Sequence, residues 1–345
     1  MSVNETLASY SNLLLYSAMA AYTGAFLSFT LDLAGGPARV RRARELAEDV
    51  RLAAPEPVAA GAVASGGGTA GLPPADRGAR TISATSAPTS EQRRAAASIA
   101  VSLTTLALLL HLASVLLRGL SVDRPPWGNM FEFSTAGAAV VTLVYLAVLR
   151  WRDLRYLGTF VIGPVLLTLG LAVTVLYTAA AQLAPSLRSY WLAIHVTVAF
   201  IASALLTIAF SATVLYLVQD ARERRRAQGQ PVSLTFMEAL PSARDLDQAA
   251  YRLHAVAFPL WTFTLVAGAI WAENAWGRYW GWDPKEVWTF VIWVVYAGYL
   301  HARATRGWEG RKAAWLAMVG YACVLFNFLV VNIVFVGMHS YAGIS

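Results

Sequence analysis

Long apolar runs alternate with short polar stretches along this chain, and the runs set the elements. Eight are long enough to cross a bilayer, at 10–33, 97–118, 131–150, 157–181, 190–218, 251–272, 286–303 and 313–337. A spanning helix needs about 20 mostly apolar residues. The pattern predicts an all-α polytopic membrane protein with about eight transmembrane helices. The first run lacks a basic lead and an Ala-x-Ala-like end, so it reads as a retained helix rather than a cleaved signal. Gly163-Pro164 interrupts the fourth run and Pro259 the sixth, kinks that neighbouring helices can absorb.

The polar stretches divide the chain. Residues 1–33 hold the first span, 34–96 a cytoplasmic low-complexity linker, and 97–345 the remaining spans. Within the linker, 53–90 is rich in Ala, Gly, Pro, Ser and Thr, with almost no large apolar side chains. Such a stretch buries too little surface to offset its ordering entropy and is expected to be disordered. Placing the N-terminus outside puts 22 of the 27 Lys and Arg on the inner side and leaves Arg118, Arg124, Arg188, Arg278 and Lys285 outside. That asymmetry predicts both termini outside. The run of Arg222, Arg224, Arg225 and Arg226 reads as an anchor to anionic lipid.

Composition agrees with lipid as the solvent. Apolar residues make up 57% and charged residues 14%, against about 45–50% and about 25% in an ordinary soluble domain. The net charge of +7 is then orientation signal, with no nucleic-acid partner implied. A single cysteine, Cys323, excludes an internal disulfide, a Cys-x-x-Cys redox pair and a Cys-rich zinc site.

Chemistry concentrates between the sixth and seventh runs. Residues 271–288 carry five of the twelve tryptophans: Trp271, Trp276, Trp280, Trp282 and Trp288. An interfacial belt supplies one or two rings per helix end. Here Gly277 and Gly281 sit between the indoles, where a backbone can approach a flat ligand. The cluster therefore reads as a π-rich platform with N–H donors. Asp283, Pro284 and Glu286 read as an N-cap, a first-turn proline and a capping-box partner for the next helix.

Five histidines remain. His195 lies early in the fifth run, roughly 9 Å below its outer end, and His339 just past the outer end of the eighth. Both fall on the side of the tryptophan loop. Two imidazoles and an aromatic floor suit a bis-histidine haem; zinc would need further ligands. His301 and His254 lie near the inner ends of the seventh and sixth runs, and His111 in the outer half of the second. His254 and His111 fit structural roles.

Taken together, these residues resemble a known family. Trp191-x-x-x-His195, then Trp276-Gly-x-x-Trp280-x-Trp282-Asp283-Pro-Lys-Glu286, then His301, then Gly337-x-His339-Ser-Tyr, with Pro126-x-x-Asn129-x-x-Glu132 upstream, are similar to the CcsA-type (actinobacterial CcsB) component of system II cytochrome c biogenesis. That family handles haem and carries the tryptophan-rich WWD motif. The resemblance, over roughly 97–345, implies haem b at the outer surface, ligated by His195 and His339 over a platform of Trp276, Gly277, Trp280, Trp282 and Asp283. It implies a second haem in the bilayer on His301, its other ligand coming from a ResB-type partner. Haem would pass outward and be presented to an apocytochrome c carrying Cys-x-x-Cys-His, whose thiols a separate thioredoxin-like reductant keeps reduced. The setting implied is the cell membrane, with the functional face extracytoplasmic. No spacing chooses between Arg124 and Arg278 as partners of the haem propionates. A haem exporter, a b-type respiratory subunit and a haem-free transporter are the competing readings. Against the second, no span carries two histidines; against the third, the spans hold no buried acid–base pairs.

Overall fold

The computed structural model describes residues 3–53, 92–181, 189–305 and 307–339. Among them the apolar runs fold as helices, with no strand: α1 (Glu5–Ala53), α2 (Gln92–Ser121), α3 (Met130–Leu149), α4 (Gly158–Thr174), α5 (Tyr190–Ala227), α6 (Ala243–Trp276), α7 (Pro284–Thr305), α8 (Arg311–Leu325) and α9 (Asn332–Val334). A π-helical turn, Phe326–Val331, joins α8 to α9. All but Ala53 of the stretch expected to be disordered, 53–90, lies outside the described residues.

The protein is a multi-pass membrane protein: among the described residues seven helices are long and apolar enough to cross a bilayer. The predicted seventh span, α7, is not among them. It opens on Pro284-Lys285-Glu286, and much of its bulk is Trp and Tyr, rings with polar tips that suit packing inside a bundle better than facing lipid. Other predicted boundaries move too, the sixth run among them, which begins at Ala243 instead of 251. The first span continues as helix to Ala53 and the fifth to Ala227, because an Arg/Glu/Ala-rich sequence propagates a helix after apolarity ends. The fourth stops at Thr174 instead of 181.

Helix α1 packs along α2, α5 along α6, α3 against α4 and α5, and α7 against α8. Tyr22 and Phe29 of α1, Tyr145 of α3 and Leu206 and Ile208 of α5 fill the main core. Leu31, Leu109, Leu116 and Leu167 face outward, as lipid requires. Helix α4 runs on through Pro164. A proline there cannot donate to the carbonyl of Phe160, and Ser211 Oγ of α5 donates to it instead at 2.9 Å. A smaller core gathers Ala136, Leu192, Val196, Phe200 and Trp271. The start of α1 meets the end of α2 through the Asn4 N–H and the Ser121 carbonyl, at 2.8 Å.

Candidate functional site

The segments after α2, α6 and α9 meet the start of α5 around a cavity of about 200 Å³, lined by His195, His339, Trp127, Trp271, Trp280 and Lys285 among others. The fold thus joins residues 144 positions apart in the chain, His195 and His339, at one cavity. Trp271, only 2% exposed, stands beside both. Its ring stacks on His195 at 6.0 Å and meets His339 edge-on at 5.5 Å.

Each imidazole is held by one nitrogen. The Nδ1–H of His195 donates to the carbonyl of Thr264 at 2.9 Å. That of His339 donates to Asp283 Oδ2 at 2.8 Å. In the neutral form of each ring this leaves the lone pair on Nε2, the tautomer a metal ligand needs. Room for the His195 ring comes from Gly268, where a Cβ would sit 2.8 Å from His195 Cε1. Gly337 makes the matching allowance for Asp283, since a Cβ there would overlap Oδ1.

His111 and His254 are placed differently. His254 is 1% exposed, gives Nδ1–H to Ala250 O at 2.8 Å and packs against Tyr296 and Tyr299. His111 is fully buried beside Tyr22. In both rings Nε2 is sealed in without a hydrogen bond. His301 is exposed near the far end of α7, some 25 Å along the helix from Pro284.

The loop explains its own composition. Gly277 ends α6 with φ +68°, its N–H donating to Glu273 O at 2.9 Å, and a Cβ there would meet nothing. The left-handed cap, more than close approach of a ligand, requires glycine. At Gly281 a Cβ would fall on the Arg278 guanidinium, which crosses that point. Trp282 takes φ +60°, an outlier for an aromatic residue, and the residue is 73% exposed. Trp280 lines the cavity, Trp276 backs His339 at 4.9 Å, and Trp282 packs edge-on against Trp280. The three indoles therefore do not form one flat shelf.

Asp283 does more than cap. It accepts the Lys285 N–H at 3.2 Å, and Glu286 returns the bond by accepting the Asp283 N–H at 3.1 Å, as a capping box should. It also accepts the Met338 N–H at 2.6 Å and the His339 ring. Burial pushes its carboxyl up, but the bonds from His339 and Met338 prevail and hold it below the ordinary carboxylate value. One acidic side chain thus ties the tryptophan loop to the C-terminal histidine. The remaining wall comes from the loop before α3. There Glu132, fully buried, takes Arg118 at 3.0 Å, Arg124 at 2.7 Å and the Gly128 N–H at 2.9 Å, so the second and third runs do share a buried acid–base pair at their ends, against the expectation from sequence.

Residues 127–339 match the family described as Cytochrome C assembly protein. The chain belongs to that family. This assembly protein is 32% identical over 269 residues to the cytochrome c biogenesis protein CcsA of Synechococcus sp. (strain JA-2-3B'a(2-13)), covering 63% of this chain and 77% of that one. To CcsA of Gloeobacter violaceus it is 32% identical over 276 residues, covering 66% and 81%. To CcsA of Chlamydomonas reinhardtii it is 41% identical over 162 residues, covering 47% and 43%. Among solved structures, it shares its fold with a protein described as cytochrome c haem lyase CcmF. The TM-score is 0.56 and the identity 16%; the match covers 95% of this chain and 47% of that one. The match begins at Trp127, so the helices before it fall outside the family's matched segment.

Proposed function

We propose that this assembly protein holds haem b at its cavity through His195 and His339 and presents it for covalent attachment to an apocytochrome c. One observation carries the reading: two histidines from distant segments, the start of α5 and the chain after α9, line one cavity, each with Nδ1–H tied to an oxygen and Nε2 left to ligate. Haem supplies the iron for those nitrogens and the vinyl groups to which the two thiols of a Cys-x-x-Cys-His segment add. The chain's own residues position and exclude. Thr264 and Asp283 fix the two tautomers. Trp271 and Trp280 wall the cavity with apolar rings, and Trp276, Gly277 and Trp282 complete the loop around it. No side chain here acts as a nucleophile, so attachment depends on holding reactants in place.

His301, exposed near the far end of α7, ligates a second haem within the bilayer and faces a ResB-type partner that provides the other ligand. A thioredoxin-like protein keeps the apocytochrome thiols reduced, since the lone Cys323 cannot. The excess of Lys and Arg on one set of loops supports a cell-membrane orientation with the cavity outside. The test is an absorption spectrum of the purified protein. It shows a bis-histidine b-type haem, and His195→Ala or His339→Ala depletes the outer haem and cytochrome c assembly together. Unchanged haem and assembly in both variants overturn the reading. His301→Ala loses the membrane haem with the outer pair intact; loss on His254→Ala instead would overturn that ligand choice.

A further inference from the structure

The sequence offers Arg124 and Arg278 as cations for an acidic ligand; neither lines the cavity, and Arg124 is already paired. Arg124 donates to Glu132 at 2.7 and 3.1 Å and to Ala181 O at 2.6 Å. Arg278 lies across Gly281. The cation in the cavity wall is Lys285. Its Nζ donates to Asn327 O, inside the π-helical turn, at 3.0 Å and to Asn332 Oδ1 at 2.9 Å. Both partners are neutral. Among the described residues Lys285 makes no ion pair.

The acids nearby in the chain are already in use. Asp283 spends its two oxygens on Met338, His339 and the Lys285 backbone. Glu286, also in the wall, accepts the Gly281 and Asp283 N–H groups with Oε2, at the N-terminus of α7 where its charge is favoured. Its Oε1 and Asn327 Oδ1 are buried without partners, two acceptors that welcome a donor and not a second anion. A half-buried ammonium held only by neutral acceptors gains from a counter-ion. Lys285 uses two of its three N–H groups on protein. The third is available to an anion entering the cavity that His195 and His339 also line.

We propose that Lys285 is the specificity-determining residue that recognises a single carboxylate on the ligand of this cavity. The claim rests on the haem reading, in which that carboxylate is a propionate. With Glu286 beside it, the wall favours one carboxylate and disfavours a pair.

The test compares haem b with its dimethyl ester, both propionates capped, by absorbance titration of the full chain in detergent. Lys285→Gln keeps donor hydrogens for Asn327 and Asn332 without the charge; Lys285→Arg keeps the charge. Asn332→Asp leaves Lys285 intact and gives it an internal carboxylate, so the test survives even if Lys285→Gln fails to fold. The wild type binds haem about tenfold or more tighter than the diester, the size of one charge-assisted hydrogen bond. In Lys285→Gln and Asn332→Asp the ratio of haem to diester affinity falls towards one, and Lys285→Arg retains it. A preference that survives in Lys285→Gln or Asn332→Asp, or an equal loss for both ligands, overturns the proposal alone. A wild type without a bis-imidazole spectrum overturns the haem reading and this proposal with it.

Discussion

Asp283 shows how much one side chain can carry. It caps α7, accepts the Met338 N–H and orients the His339 ring. Replacing it with Asn keeps an acceptor and removes the charge that makes the imidazole a better ligand. Outer partners of metal-bound histidines typically contribute 10–100-fold in affinity, so Asp283→Asn lowers haem affinity at the outer site by about that factor, read by haem titration. Its pH dependence has a definite sign. The folded carboxyl is held below its ordinary value, so its stabilisation is complete above the unfolded pKa of about 3.9 and disappears as pH falls through the folded value. The difference in thermal stability between wild type and Asp283→Asn therefore persists at neutral pH and closes under acid below about pH 4. Gly268 gives a second test at this scale. A Cβ 2.8 Å from His195 Cε1 must displace the ring. Gly268→Ala loses outer haem while the protein stays folded and monodisperse.

At the scale of elements, the loop between α2 and α3 is built around a buried charge. Glu132 joins Arg118 of α2 to Arg124 of the loop, and both arginines reach on to the chain after α4, at Thr178 O and Ala181 O. Those carbonyls are free to accept because α4 ends at Thr174 and not at 181. The loop also brings Trp127 and Asn129 to the cavity. Glu132→Ala leaves two buried guanidinium groups unpaired. Loss of one partner of a buried pair costs about 3–5 kcal/mol, which thermal unfolding in detergent would register together with weakened haem binding. At the opposite end of the bundle Arg303 of α7 clamps Asp247 of α6 with two nitrogens, at 2.8 and 3.0 Å, and lies over Tyr251. That clamp fixes the turn of α7 that carries His301.

For the whole molecule, the helices alternate so that the ends of α2 and α6 and the starts of α5 and α7 gather at the cavity, while His301 lies near the far end of α7. The start of α1 also meets the cavity end of the bundle, through Asn4 and Ser121. In the proposed orientation, which puts the arginine-rich loops inside, the cavity faces outward. A reporter fused after Ser345 therefore reads extracytoplasmic, and a cytoplasmic signal would reverse the orientation and the proposed direction of haem movement.

The sequence by itself determined the fold class and the family. Apolar runs of spanning length exist because lipid offers backbone groups no partner outside a helix, and that constraint is written residue by residue. Seven of the eight runs became helices of spanning length and apolarity; α7 did not, since a window of Trp, Tyr, Lys and Glu states how a helix packs only once its neighbours are known. The capping box at Asp283 and Glu286 was legible because it is local, four residues long. The tie from Asp283 to His339 was not, nor was the choice of Lys285 over Arg124 and Arg278, nor the space that Gly268 leaves for His195. Each of these joins positions far apart in the chain. Spacing along one helix cannot fix which ring nitrogen is occupied or which cation is already spent; only the packing of α5, α6, α7 and the C-terminal segment around one cavity decides that.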